Sequence, residues 1–138
     1  MLAAGCGGGG RLSHSDFVKR ADAVCSAYNA RVKPRVITPR SYDAIQRYVA
    51  STLPLYTAAL QKLSALKPPS SDAQAVRAWL AADRRVAGAV RALGVAAEQR
   101  NFPAVSAAAS RAQLAASQSR QAAAGLGMRV CGTLSQGV

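Results

Sequence analysis

Apolar residues recur three and four positions apart in four successive runs of this sequence, and proline or glycine interrupts the pattern between them. That spacing returns side chains to one face of a 3.6-residue helix, so each run predicts an amphipathic α-helix. The first run, Phe17, Ala21, Val24, Cys25, Tyr28 and Val32, follows Ser15 as N-cap and Asp16 in the first turn. Two prolines then set a connection from Lys33 to Arg40. The second run starts after Ser41 and carries Tyr42, Ile45, Val49, Leu53, Tyr56, Leu60 and Leu63. Pro54 falls within it, and because the stripe keeps its register on both sides, one kinked helix is expected rather than two.

Lys67-Pro68-Pro69 stops the second helix, and Ser70 or Ser71 is the expected cap of the third. The third stripe runs through Val76, Trp79, Leu80, Asp83, Val86, Val90 and Leu93. Asn101 caps the fourth helix, with Pro103 early in its first turn, where the missing N–H does no harm. Its inner face is small: Val105, Ala108, Ala109, Ala112, Ala116 and Ala123, then Leu126, with Gly125 and Gly127 at the end. So poor a face makes this helix either the weakest or the one packed closest. β-branched residues never alternate as strands require. The expected fold is all-α, an antiparallel up-down-up-down four-helix bundle with helix 2 kinked at Pro54. Residues 1–14 are expected to be a signal remnant and glycine-rich tether, 15–132 the bundle, and 133–138 a frayed tail.

The residue inventory argues against catalysis. His14 is the only histidine and is placed in the tether, which removes Ser-His-Asp and Cys-His chemistry. Glu98 is the only glutamate, so the carboxylate set of a di-iron bundle is missing. No second His or Cys stands at ligand spacing, and neither a metal nor a cofactor is expected. Two residues carry competing readings. Asp83 lies on an apolar stripe, where it is either a carboxylate at the edge reaching solvent, the ordinary case, or a buried group paired with arginine or lining a pocket. Trp79 is expected in the core rather than on a ligand platform.

Lys and Arg number 18 against 6 Asp and Glu, a net charge of +12 in 138 residues. Such a balance favours anionic partners. Arg far outnumbers Lys and Ala is abundant, so the compositional bias of a GC-rich genome accounts for much of it. Arg77, Arg84 and Arg91 repeat every seven residues, close to two turns, beside Arg85. They form a basic ridge on helix 3, either a solvated face or a contact for headgroups or polyanions. Val36 and Ile37 stand among basic residues of the connection, as a membrane-touching loop or as a plug for the bundle end.

The sequence opens Met1-Leu2-Ala3-Ala4-Gly5-Cys6, followed by four glycines. Small residues running into cysteine resemble the lipobox of bacterial lipoproteins. The resemblance implies that Cys6 carries the lipid, that cleavage falls after Gly5, and that the basic and apolar leader lies upstream of Met1. A free thiol in a tail is the alternative. The glycines would be a flexible stand-off from the membrane. Setting Cys6 aside leaves Cys25 and Cys131, which an exported protein would join as a disulfide, whereas a cytosolic one would bury them separately as thiols. In an up-down bundle the two lie toward the same end.

Together with Asp16-Phe17, Ala23-Val24-Cys25, the Leu66-Lys67-Pro68-Pro69 turn and Leu126-Gly127 leading to Cys131-Gly132, this pattern resembles the small Cys-pair helical lipoproteins of high-GC Gram-positive bacteria. That resemblance implies a scaffold and a compartment, the extracytoplasmic face of the cell membrane, and no activity. The functional expectation is a non-enzymatic, membrane-anchored envelope lipoprotein. Its partners are the membrane, through the lipid on Cys6, and anionic headgroups or cell-wall polymers; nucleic acid is not expected. A cytoplasmic basic helical protein that binds nucleic acid is the alternative, and a cofactor carrier using a bundle pocket is a third reading.

Overall fold

The computed structural model describes residues 10–32 and 41–133. Cys6, the Lys33 to Arg40 connection with Val36 and Ile37, and the end of the tail beyond residue 133 lie outside the described residues. Among the described residues there are four α-helices and no strand: α1 (His14–Val32), α2 (Tyr42–Ala65), α3 (Ala73–Glu98) and α4 (Phe102–Gly125). The arrangement is compatible with a helical bundle. Short 3₁₀ turns cover Ser70–Asp72 and Cys131–Thr133.

Local chemistry explains where the helices begin and end. Ser41 Oγ accepts from Ala44 N–H at 3.2 Å, and Asn101 Oδ1 accepts from Ala104 N–H at 3.1 Å, so the residue before the expected start of helix 2 and the expected cap of helix 4 both satisfy orphan donors. α1 starts earlier than its sequence suggests. Ser13, not Ser15, is the cap: its hydroxyl accepts from Asp16 N–H at 3.1 Å and donates to the Asp16 carboxylate at 2.9 Å. Asp16, three residues on, completes a reciprocal pair with Ser13 that Ser15 could not form. Neither Ser70 nor Ser71 caps α3. A 3₁₀ turn leads into it from Pro69, with Asp72 at the cap position and making no side-chain cap.

Asp72 is occupied elsewhere, and this corrects the placement of His14 in a tether. His14 begins α1, and its Nδ1 donates to Asp72 Oδ2 at 2.6 Å. Leu12 N–H donates to Lys67 O at 2.8 Å, and Arg11 donates to Pro68 O at 3.1 Å. Residues 11–14 are therefore docked on the α2–α3 turn. The prolines of that turn hold the carbonyls of Lys67 and Pro68 outside any helix, where they are open to these donors.

At the end of α4, Gly127 has φ +83°. Met128 N–H reaches Ala123 O and Gly127 N–H reaches Ala124 O, at 3.1 and 3.0 Å, the double bond of a Schellman stop. The reversal buries Met128 and directs the chain back over α1. Arg100 occupies the matching position after α3 with φ +51°, where glycine would be unstrained. It is held there by contact with Asp43 (3.3 Å) and by the face of the Tyr42 ring, 5.8 Å from its guanidinium carbon.

The core has two parts. One gathers Phe17, Cys25, Leu63, Trp79, Leu126 and Cys131, with residues from all four helices and the returning tail. Trp79 and Phe17 are fully buried, which places Trp79 in the core. The other joins Tyr48, Val49, Val90, Leu93 and Ala108 from α2, α3 and α4. α3 and α4 share the most extensive interface. Ala82, Ala89 and Ala96 of α3 and Ala108, Ala112 and Ala116 of α4 are all buried, and side chains this small let two helices approach closely. The alanine-rich face of α4 is thus its means of close packing. Pro54 is exposed within an α2 that runs as one helix through it.

Two glycines of α3 have opposite surroundings. A Cβ on Gly94 would stand 3.0 Å from Val49 Cγ1, whereas one on Gly88 would meet nothing within 4 Å. Gly88→Ala is expected to stabilise the protein by about 0.5–1 kcal/mol, because alanine surrenders less backbone entropy in a helix. Gly94→Ala is expected to lose about 1–3 kcal/mol by forcing α2 and α3 apart. Urea titration of both variants checks the opposite signs.

Candidate functional site

Three features of the described body have chemical potential: a sulfur pair with its polar latch, a buried carboxylate between two hydroxyls, and two grooves flanking α2.

Cys25 and Cys131 lie at disulfide distance, their sulfurs 2.09 Å and their Cα atoms 5.3 Å apart. Both are essentially inaccessible. One turn before Cys25, Asp22 receives the returning chain. Its Oδ2 accepts from Arg129 N–H at 2.9 Å, and its Oδ1 accepts from the N–H groups of Val130 and Cys131, each at 3.0 Å. Three successive amides close on one carboxylate, a small anion nest filled from within the chain. Nothing in the sequence marks Asp22 for this task, because the path of the tail is a tertiary property.

Asp83 is 2% exposed, and the expectation of an edge position is corrected. It stands on the same face as Leu80, Ala87 and Val90, and α2 and α4 close over that face. Its partners are hydroxyls rather than an arginine. Tyr56 OH donates to Oδ1 at 2.9 Å, and Ser119 Oγ donates to the same oxygen at 2.5 Å. Burial pushes the Asp83 carboxyl above the usual carboxylate range, and the two hydrogen bonds oppose that shift without cancelling it. Tyr28 stacks edge-on against Tyr56, ring centroids 5.5 Å apart. Burial, then the neighbouring Asp83 charge, raise the Tyr56 phenol far above its ordinary range. Tyr28 is raised by burial first, with Tyr48 and Asp83 adding to it. Hydroxyls so reluctant to ionise act here as donors that hold a carboxyl in place.

Sequence reasoning missed Tyr56, Tyr28 and Ser119 as polar partners, although the signal was present. Both tyrosines lie on apolar stripes, and Ser119 interrupts the inward row of Ala112, Ala116 and Ala123. A lone polar group on each facing stripe is the pattern of a buried network.

The arginine ridge divides. Arg77, Arg84, Arg85 and Arg91 are all exposed. Arg84 reaches across to Ser64 of α2 at 3.4 Å, while Arg85 turns the other way to Gln118 of α4 at 3.3 Å. One residue advances a helix by about 100°, so the neighbours Arg84 and Arg85 serve opposite flanks. On the α2 flank, Arg84 and Arg91 line an open groove of about 470 Å³ together with Thr57, Leu60, Gln61, Ser64 and Ala87. On its other side, α2 forms a second cleft with α1, of about 250 Å³, lined by Val24, Tyr28, Leu55 and Ala59 and rimmed by Arg31 and Lys62. Among the described residues, no group of three His, Cys, Asp or Glu is placed to hold a metal.

Comparison with known protein families, with curated proteins and with solved structures finds no match to this chain.

Asp83 supplies a pH test. Its folded-state pKa lies above the unfolded value, so its stabilising contribution is complete below the model-peptide pKa of 3.8. That contribution is lost as pH rises through the raised folded value. The stability difference between Asp83→Asn and the parent should therefore grow in favour of the variant as pH increases from 4 toward neutrality. Asp83→Ala, which leaves two buried hydroxyls without an acceptor, should cost about 1–3 kcal/mol. Chemical denaturation across pH measures both.

Proposed function

We propose that this protein is a non-enzymatic, lipid-anchored module of the bacterial envelope, held through Cys6 at the extracytoplasmic face of the membrane and presenting a basic helical body. The observation that carries this reading is the buried pair of Cys25 and Cys131 at disulfide distance, 106 residues apart in sequence. Such a cross-link persists in oxidising compartments and is rare where thiols are kept reduced. The glycine run after Cys6 then has a physical role, spacing a docked body from the bilayer. No helix among the described residues is long and apolar enough to cross a membrane.

The body in this reading is an antiparallel up-down-up-down bundle with α2 bent at Pro54. Contacts at its two ends support the direction of the helices. Leu12 and His14 at the start of α1 touch Lys67 after α2 and Asp72 before α3. Far from them, Asp43 at the start of α2 touches Arg100 after α3. Pro54 lacks the N–H that would bond to Ala50 O, which removes one rung on one side of α2. The row of Arg77, Arg84 and Arg91 on α3 is the surface offered to anionic headgroups or cell-wall polymers, and Arg85 stands on the opposite flank.

The anchor is tested by cloud-point detergent partitioning of protein exported with a lipoprotein leader. The parent is expected in the detergent phase and Cys6→Ser in the aqueous phase; identical partitioning of the two would end the proposal. The cross-link is tested by Cys25→Ser/Cys131→Ser. By the chain-entropy treatment, opening a loop of roughly 100 residues should lower stability by about 4–5 kcal/mol, seen as a large fall in the urea midpoint. Full alkylation of both cysteines in unreduced protein from the native cell would contradict it.

A further inference from the structure

The two walls of the α2–α3 groove differ in chemistry. The α3 wall carries Arg84 and Arg91, and the α2 wall carries the uncharged side chains Gln61, Ser64 and Thr57. The Thr57 hydroxyl donates to Leu53 O at 2.9 Å and is left as an acceptor, and Ser64 Oγ accepts from Arg84 and is left as a donor. Leu60 and Ala87, both buried, form the floor. Arg84 and Arg91 lie on one helix face seven residues apart, a backbone spacing of about 10.5 Å along the axis at the usual rise per residue. Arg77 continues the same row two turns earlier.

Among the described residues, no carboxylate side chain lines this groove. All six carboxylate side chains of the sequence lie among those residues. Asp16 pairs with Ser13, Asp22 holds the tail amides, and Asp72 takes His14. Asp43 takes Arg100, and Asp83 is buried with Tyr56 and Ser119. Glu98 remains, seven residues beyond Arg91 on the same helix face, and makes no ion pair with it. Arg84 and Arg91 thus face solvent across a recess, with hydroxyl and amide groups opposite them.

We propose that the α2–α3 groove binds a linear phosphodiester polymer of polyol units, its phosphates on Arg84 and Arg91 and its hydroxyls on Thr57, Gln61 and Ser64. This deepens, and rests on, the reading of the body as an envelope binding module. Guanidinium groups match phosphate oxygens in pairs, and repeated charges at a fixed interval suit a polymer better than a single anion. A recess takes in a chain and not the plane of a bilayer. The groove has no aromatic lining on which a base could stack, which separates it from a single-stranded nucleic-acid site. Arg85, on the other flank of α3, takes no part.

The probe is a glycerol phosphate oligomer of defined length, titrated against the full-length Cys6→Ser chain in detergent-free buffer at several salt concentrations. Affinity should fall with salt, and Arg84→Gln/Arg91→Gln should weaken binding about tenfold and lower the salt slope by about two. Arg85→Gln should change affinity less than about twofold, and Ser64→Ala should give a loss of about threefold. All four positions are exposed, and circular dichroism verifies that each variant keeps its helix content. Equal losses from Arg85→Gln and from the double variant would reduce the effect to net charge and overturn the proposal. So would an absence of binding, or tighter binding to poly(U) or to phosphatidylglycerol vesicles than to the oligomer. Failed oligomer binding with intact Cys6-dependent partitioning would remove the groove and leave the anchor. Retained oligomer binding with partitioning independent of Cys6 would do the reverse.

Discussion

The return of the chain onto α1 holds the fold together. α1 is the shortest of the four helices, at 19 residues, and contributes to only one of the two core clusters. Its attachment is therefore specific rather than extensive. Cys131 meets Cys25 at disulfide distance, and Asp22 collects three successive amides of the returning segment just beside it. At the start of the same helix, Leu12 and His14 dock on the α2–α3 turn. A covalent link acts mainly by narrowing the unfolded ensemble, while the carboxylate nest acts in the folded state. The two together fix one helix that apolar burial alone would hold weakly.

The buried polar cluster has a different character. Asp83, Tyr56 and Ser119 join α3, α2 and α4 through one carboxylate oxygen. Taking a carboxylate out of water is unfavourable, and burial raises the Asp83 pKa for that reason. What such a network contributes is register. Hydroxyl partners must arrive at one point from two helices, a condition that interchangeable alanines on α4 cannot impose. An inner face made almost wholly of alanine permits many sliding positions, and Ser119 selects one.

Charge is distributed so that the acidic side chains are consumed internally while the arginines of α3 are not. Five of the six carboxylates are engaged in caps, latches, ion pairs or the core. Arg77, Arg84, Arg85 and Arg91 of α3 are all exposed. Composition can generate a basic excess without selection, but it does not place two arginines across a recess from three uncharged polar side chains.

Apolar periodicity and proline punctuation were enough to locate the four described helices, the start of α2 after Ser41 and the cap at Asn101, because these depend on interactions within a few residues. The single helix through Pro54 was legible for the same reason: the stripe on either side stays in phase. Errors arose within a single turn and where a local choice had a distant competitor. Ser13 displaced Ser15 because Asp16 could return its hydrogen bond, and Asp72 gave no side-chain cap to α3 because His14, 58 residues away, claimed it. The burial of Asp83, the capture of the tail by Asp22 and the parting of Arg84 from Arg85 could be decided only in three dimensions. Each depends on which helix lies opposite, and side-chain periodicity specifies the face a residue occupies but not the neighbour it meets.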